Sequence, residues 1–389
     1  MKIFRKIHLW ISVPFGIIIT LICFSGAMLI FEPEITRSVK SDVYYVGSSN
    51  GTPLPMSELM ETVKATLPDS VSITGVTVFS DKDRTYQVNL SKPRRASLFI
   101  DQYSGEITGK YERLGFFSTM FKLHRWLLDS ANPHGDGVQV GKLLVGISTL
   151  VFVIALISGV IIWWPRARKS FRRNMTISFK DGWRGLWKSL HIAGGMYALI
   201  FMLAMSLTGL TWSFNWYRAA FYAVCGVEHT PRNACNQTAA GSENRDEGRS
   251  EGRGEGRRDE GRRHHSEFGR WQQVYETLRA QNHEAPQITV GEQTASVSLG
   301  TTGNGRASDK YEFNRRSGEV TPESKYADSL PADKLRGWIY SVHTGGWGGI
   351  VTRILWFLSA LLGASLPLTG YYIWLKHLGK KKAHHTATR

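Results

Sequence analysis

Two histidines of this 389-residue chain stand at the same distance from the same kind of landmark. His8 opens an apolar segment and lies 18 residues before the glycine of Ser25-Gly26, and His191 opens another and lies 18 before the glycine of Thr208-Gly209. His124 and His343 follow the same logic, each standing after a long intervening segment and before a further apolar run. Imidazole is the commonest metal-ligating side chain. One such group at each of two depths, supplied twice by an internal repeat, is what two stacked haems require. Eighteen helical residues separate the two depths by about 27 Å, so His8 can pair only with His191, and His124 only with His343. Any one of these histidines taken alone reads as an interfacial polar residue. Four at matched depths, tied by a duplication, favour ligation of iron.

Other residues compete with this set. Counting back from the glycines that close the returning segments, His343 is 27 residues before Gly370, while His124 is 35 and His134 is 25 before Gly159. His134, in Asn132-Pro133-His134-Gly135, is therefore a rival outer ligand. His377 aligns with Arg166, has no duplicated partner, and stands at a depth where it would compete for the inner haem. Setting Gly159 against Gly370 also places Trp163 on Trp374 and Lys142 on Arg353, all at an offset of 211. Lys142 and Arg353 are expected either to meet outer haem propionates or to snorkel to the interface. Gly16, Gly26, Gly146, Gly159, Gly194, Gly195, Gly209, Gly363 and Gly370 admit either a flat cofactor or a close neighbouring helix.

The elements that must position these groups are membrane spans. Overall apolar content is 42%, yet the windows 9–31, 143–164, 192–217 and 354–375 contain no Asp, Glu, Lys or Arg. At about 1.5 Å per residue each reaches across a hydrocarbon core of about 30 Å. The first run resembles a signal peptide but is long and matches the third, which points to a retained anchor. Basic residues gather before the first span (Lys2, Arg5, Lys6), between spans two and three (Arg166 to Lys188) and after the fourth (Lys376, Lys380 to Lys382). These three parts are expected in the cytoplasm, and the long segments outside, in a bacterial periplasm. They account for much of the net charge of +16, so nucleic acid is not an expected partner and the lipid bilayer is.

The expected order is a first span within 1–31, an outer domain at 32–137, a second span at 138–165 and a basic inner loop at 166–189. A third span at 190–217, an outer domain at 218–347, a fourth span at 348–376 and an inner tail at 377–389 complete the chain. Both outer segments repeat one pattern. The first reads as a helix at 57–67, strands at 72–79, 85–90 and 97–100, and a turn at Tyr103-Ser104-Gly105-Glu106. The second reads as a helix at 271–281, strands near 288–290, 295–299 and 310–313, and a turn at Arg316-Ser317-Gly318-Glu319. The fold class expected is a membrane α-helical protein of four transmembrane helices in two parallel repeats, with two small α+β outer domains. The Gly/Arg/Glu-rich stretch 238–267 cannot bury apolar area and is expected to be a disordered tether. Its His264-His265 pair reads as solvated. Cys225 and Cys235 lie outside, where a disulfide would persist.

These features resemble the PepSY-associated transmembrane helix family. The resemblance is carried by His8-Leu9-Trp10 with Ser25-Gly26, by Leu123-His124-Arg125 with Ser158-Gly159 and Trp163-Trp164-Pro165, and by the Ser-Gly-Glu turns. It covers nearly the whole chain apart from the tether and is similar in particular to the FoxB-type inner-membrane ferrisiderophore reductases. The second copy departs from it, reading Val342-His343-Thr344. The resemblance implies PepSY-like outer domains, two b-type haems and reduction of ferric siderophores in the periplasm. Reduction would act as release, because hard oxygen ligands hold Fe(III) far better than Fe(II). Trp212, Trp338, Tyr340 and Trp347 are expected either to dock the siderophore or to form an interfacial belt. The inner loop is too short for a flavin or nicotinamide domain, so the electron donor is expected to be a quinol, a separate reductase or a diffusible reductant. The competing expectation is a haem-free envelope protein whose outer domains bind peptides or inhibit a protease. A transporter fits less well, because the spans contain no acidic residue.

Overall fold

Apolar runs of this length can satisfy their backbone within a bilayer only as helices. The computed structural model describes residues 2–49, 51–93, 95–129, 139–180, 182–228, 268–300 and 303–386. Four of its helices are long and apolar enough to cross a membrane, Lys2–Leu29, Val140–Lys169, Gly182–Ser213 and Gly346–Leu378. The elements before the second span are α1 (Lys2–Leu29), α2 (Glu32–Val39), α3 (Ser41–Tyr44), α4 (Met56–Thr66), β1 (Ile73–Phe79), β2 (Tyr86–Leu90), β3 (Ser97–Ile100), β4 (Ile107–Lys110) and α5 (Gly115–Trp126). Then come α6 (Val140–Lys169), α7 (Phe171–Met175), α8 (Gly182–Ser189), a π-helical turn Leu190–Gly194, α9 (Gly195–Ser213) and α10 (Asn215–Val224). The second half of the sheet region and the last span comprise α11 (Trp271–Gln281), β5 (Gln287–Gly291), β6 (Thr294–Ser298), β7 (Ser308–Phe313), β8 (Val320–Ser324), α12 (Pro331–Thr344) and α13 (Gly349–Thr386).

The four long helices form a bundle in which α1 and α9 each pack against both α6 and α13. Ile19, Phe152, Leu156, Ala198, Met202 and Leu366 bring all four together in one apolar layer. Two polar ties cross α1 and α13. The Tyr371 hydroxyl donates to the Val13 carbonyl at 2.5 Å, and Thr20 donates to the Ala364 carbonyl at 3.0 Å.

The sheet corrects one expectation. In place of two separate outer domains the strands form a single antiparallel sheet in the order β4-β3-β2-β1-β5-β6-β7-β8. β1 and β5 join the halves, with Val76 opposite Val290 and Val78 opposite Ile288. Each half alone would leave its first strand as an open edge, and pairing the two edges removes both. It also merges two small cores into one. Met56, Leu59, Met60 and Val63, at helical spacing on α4, share a single buried cluster with Trp271, Val274 and Leu278 of α11 and the valines of both half-sheets. The Ser-Gly-Glu turns each lead into a fourth strand, β4 or β8, that the sequence reading lacks.

Among the helices that the sequence reading lacks are α5 and α12. α5 ends at Leu127 in the left-handed conformation (φ 51°), and α12 ends at Gly345 (φ 74°), where an L side chain is disfavoured and glycine is not. Both carry a histidine in the last turn, His124 or His343, back toward the bundle. His134, Cys235, the tether at 238–267 and its histidines lie outside the described residues, and Cys225 is exposed.

Candidate functional site

The four histidines meet as two pairs. The ring centres of His8 and His191 lie 6.4 Å apart, and those of His124 and His343 lie 6.1 Å apart. The first pair is at the end of the bundle nearest the basic loop, and the second is at the end nearest the sheet.

Each ring sits on a neighbouring helix by the same device. The Nδ1 of His8 donates to the Ala155 carbonyl at 3.2 Å and to Ser158 Oγ at 2.9 Å on α6. That of His191 donates to the Leu366 carbonyl at 3.1 Å and to Thr369 Oγ1 at 2.9 Å on α13. At the sheet side His124 donates to the Ile22 carbonyl of α1 at 2.9 Å. His343 donates to the Met205 carbonyl of α9 at 2.9 Å and to Thr208 Oγ1 at 3.2 Å. Behind each ring the helix carries a glycine, namely Gly159, Gly370, Gly26 and Gly209. A Cβ on Gly26 would lie 2.8 Å from the His124 ring, and one on Gly209 would lie 3.1 Å from that of His343. At Gly370 and Gly159 the same distances are 3.4 and 3.7 Å. These four glycines are therefore imidazole seats, and the hydroxyl residue before Gly159, Gly370 and Gly209 is part of the seat.

This arrangement fixes the tautomer. With Nδ1–H donated to backbone, Nε2 carries the lone pair and faces away from the seat. An imidazole nitrogen holds a transition metal at about 2.0–2.1 Å with its ring centre roughly 1.1 Å further back, so two rings across one iron stand roughly 6.3 Å apart. Both pairs match that separation. Among the described residues no group of three or more His, Cys, Asp or Glu is gathered around a point. Two imidazoles would be enough for an iron whose remaining ligands a macrocycle supplies, and are too few for a bare ion. Burial lowers the pKa of His124 and, together with the neighbouring His124, takes that of His343 down to about 3, so both rings are neutral.

A cavity of about 800 Å³ opens beside the sheet-side pair and runs down to Ile19, Phe152 and Met202. That volume is of the size proteins use for organic cofactors. Trp212 forms one wall, edge-on to His343 at 5.0 Å. Ser148 also belongs to the lining, its hydroxyl fully buried and with no hydrogen-bond partner among the described residues.

Five cationic side chains line the same space, Arg113, Arg125, Lys142, Arg306 and Arg353. Two of them are already neutralised. Arg113 makes a forked pair with Glu32 at 2.5 and 3.0 Å, and Arg353 makes one with Glu34 at 2.5 and 2.7 Å while also bonding the Ile30 carbonyl. The Arg353 guanidinium holds the Glu34 carboxyl below the usual carboxylate range. Arg353 lines the cavity, and its fork is engaged by protein. Lys142 also lines the cavity. His377 is exposed on α13, about 10 Å past Gly370 along the helix, apart from the pair that His191 forms with His8.

Sequence reasoning missed Arg113, Arg125, Arg306 and both glutamates. Of the expected aromatics, Trp212 and Tyr340 line the cavity, and Trp338 and Trp347 stand just outside it.

A family model described as PepSY-associated TM region matches residues 5–377, nearly the whole chain. No curated protein matches it.

Proposed function

We propose, from the premise that this chain belongs to the PepSY-associated transmembrane family, that it is a dihaem b-type electron carrier reducing ferric siderophores. The observation that carries the reading is the pair of histidine pairs, with both separations fitting an iron between two imidazoles. His8 and His191 would hold one haem, and His124 and His343 the other. Haem bound at these sites would supply one-electron chemistry.

The chain's own residues supply the rest. Backbone carbonyls and the hydroxyls of Ser158, Thr208 and Thr369 hold each Nδ1 proton and aim each Nε2. The bundle layer around Ile19 and Phe152 floors the cavity and sets apolar side chains between the two levels. The open sheet-side cavity gives a soluble ferric chelate access to the second level.

The basic loop and tail support an orientation with both termini and the first pair on the cytoplasmic side of a bacterial inner membrane. Electrons then travel outward from a quinol or a separate reductase, which gains about 2.3 kcal/mol per 100 mV if the full potential is crossed. The product, Fe(II), is weakly held by the hard oxygen donors of the siderophore and leaves it. A reduced-minus-oxidised spectrum of the purified protein tests the reading, with sharp α-bands expected from two low-spin haems per chain. The double variant His8→Ala, His191→Ala should retain one of the two. A protein without haem in either form would leave the peptide-binding envelope reading in its place.

A further inference from the structure

The cations of the sheet-side cavity do not divide evenly. Once Arg113 is matched with Glu32 and Arg353 with Glu34, Arg125, Lys142 and Arg306 remain without a carboxylate partner among the described residues. Arg125 follows His124 directly and Lys142 opens the second span, and both are half-buried beside the histidine pair. Their positions suit the two carboxylates of a porphyrin. Arg306 is different. It is exposed, it belongs to the sheet rather than the bundle, and its guanidinium lies over the Tyr340 ring at 4.1 Å.

The loop that presents Arg306 is firmly held. Asn304, 2% exposed, donates to the Tyr326 hydroxyl at 2.9 Å and to the Lys334 carbonyl at 3.2 Å, and its own Oδ1 accepts the Arg306 amide at 3.1 Å. Gly305 donates to Ser341 Oγ at 2.8 Å. A Cβ on Gly337 would lie 2.3 Å from the Asn304 side chain, so α12 leaves a notch for this anchor. An exposed arginine at the end of a loop pinned this way has a defined place, at the mouth and above the cavity. Neutralising any cofactor carboxylates at Arg125 and Lys142 leaves that cation in excess.

We propose that Arg306, held over Tyr340, is the receptor for a ferric chelate of net negative charge, so that the substrate class is anionic. The proposal rests on the reading of the site as a ferric-chelate reductase. Unpaired positive charge at a funnel mouth raises the local concentration of an anion and is screened by salt. The planar guanidinium also presents paired donors to catecholate or carboxylate oxygens.

Gallium(III) chelates separate recognition from redox chemistry, because they copy the shape and charge of the ferric forms and accept no electron. Calorimetric titration of the full-length protein in lipid nanodiscs would compare a trianionic gallium tris-catecholate with a gallium trihydroxamate bearing a positive charge. The expected result is binding of the anionic chelate at least about tenfold tighter, the preference shrinking as salt rises. Arg306→Glu should remove that preference, and Arg306→Lys should keep most of it, with the haem spectrum unchanged in both. Equal binding of the two chelates, or an unchanged preference in Arg306→Glu, overturns the proposal. The reductase reading fails separately, if reduced protein is reoxidised by ferricyanide but by neither ferric chelate.

Discussion

Replacing Gly26 by alanine tests the seat of His124 with a single methyl group. The new Cβ would stand 2.8 Å from His124 Cε1 and 3.0 Å from Nδ1, whereas carbon atoms rest at roughly 3.5–4.0 Å. The ring would have to retreat by roughly 0.7 Å. It has little freedom to do so, because Nδ1 is tied to the Ile22 carbonyl at 2.9 Å and the ring centre is 6.1 Å from that of His343. Overpacking of this kind costs about 1–3 kcal/mol, which is about 5- to 140-fold in affinity at about 1.4 kcal/mol per decade. Gly159→Ala is the matched control. There the new methyl would meet His8 at 3.7 Å, an ordinary contact, and the loop-side site should keep its affinity within about twofold. Titrating haem into apoprotein, with the pyridine haemochrome as a count of haem per chain, reads both variants. Alanine favours helix over glycine by about 1 kcal/mol, so the fold should survive, and far-ultraviolet circular dichroism checks that it does. Gly26→Ala loading two haems at wild-type affinity would refute the seat as the determinant of ligation.

Three further outcomes follow from the same geometry. Ser158→Ala and Thr369→Ala remove the hydroxyl half of the loop-side seats but leave the carbonyls, so affinity at that level should fall by about tenfold, the mild end of second-shell effects. Loss of the haem altogether would contradict this. Glu34 has its carboxyl pKa depressed by Arg353, so the stability this pair adds is present above the ordinary carboxylate range and is lost as pH falls through the depressed folded value. Glu34→Gln should therefore flatten the acid side of a plot of melting temperature against pH, and an unchanged slope would dismiss the pair as a contributor. Trp271, 2% exposed in the shared core, should cost about 3–5 kcal/mol when replaced by alanine. Both half-sheets should then melt together in hydrogen exchange, whereas independent melting would deny the common core.

The spans were legible because charge is excluded from a bilayer and its absence shows plainly in a sequence. The pairing of His8 with His191 and of His124 with His343 was legible for a related reason: helical rise turns sequence distance into depth. Harder to see was what seats them. Ser25-Gly26 and Thr208-Gly209 served as landmarks for the loop-side histidines 18 residues away, yet they hold the sheet-side ones, carried in by α5 and α12. The signal was present, since a hydroxyl residue precedes glycine at all four seats, but contact between helices does not follow from spacing within one. Joining of the half-sheets was likewise hidden, because β1 and β5 have the composition of ordinary strands and nothing in either names its neighbour. Arg306 escaped notice because a loop arginine is usually solvated, and only the Asn304 anchor gives it a place.

The seam between the half-sheets has a consequence for biosynthesis. Phe79 is paired with Gln287, positions that differ by 208 in the chain, and two membrane crossings lie between them. Throughout translation of that interval β1 waits with its hydrogen-bonding edge bare, and bare edges recruit other strands. Completion of the molecule is thus a late, long-range closure of the slow kind, and a ribosome stalled before β5 would release a product prone to aggregate through that edge.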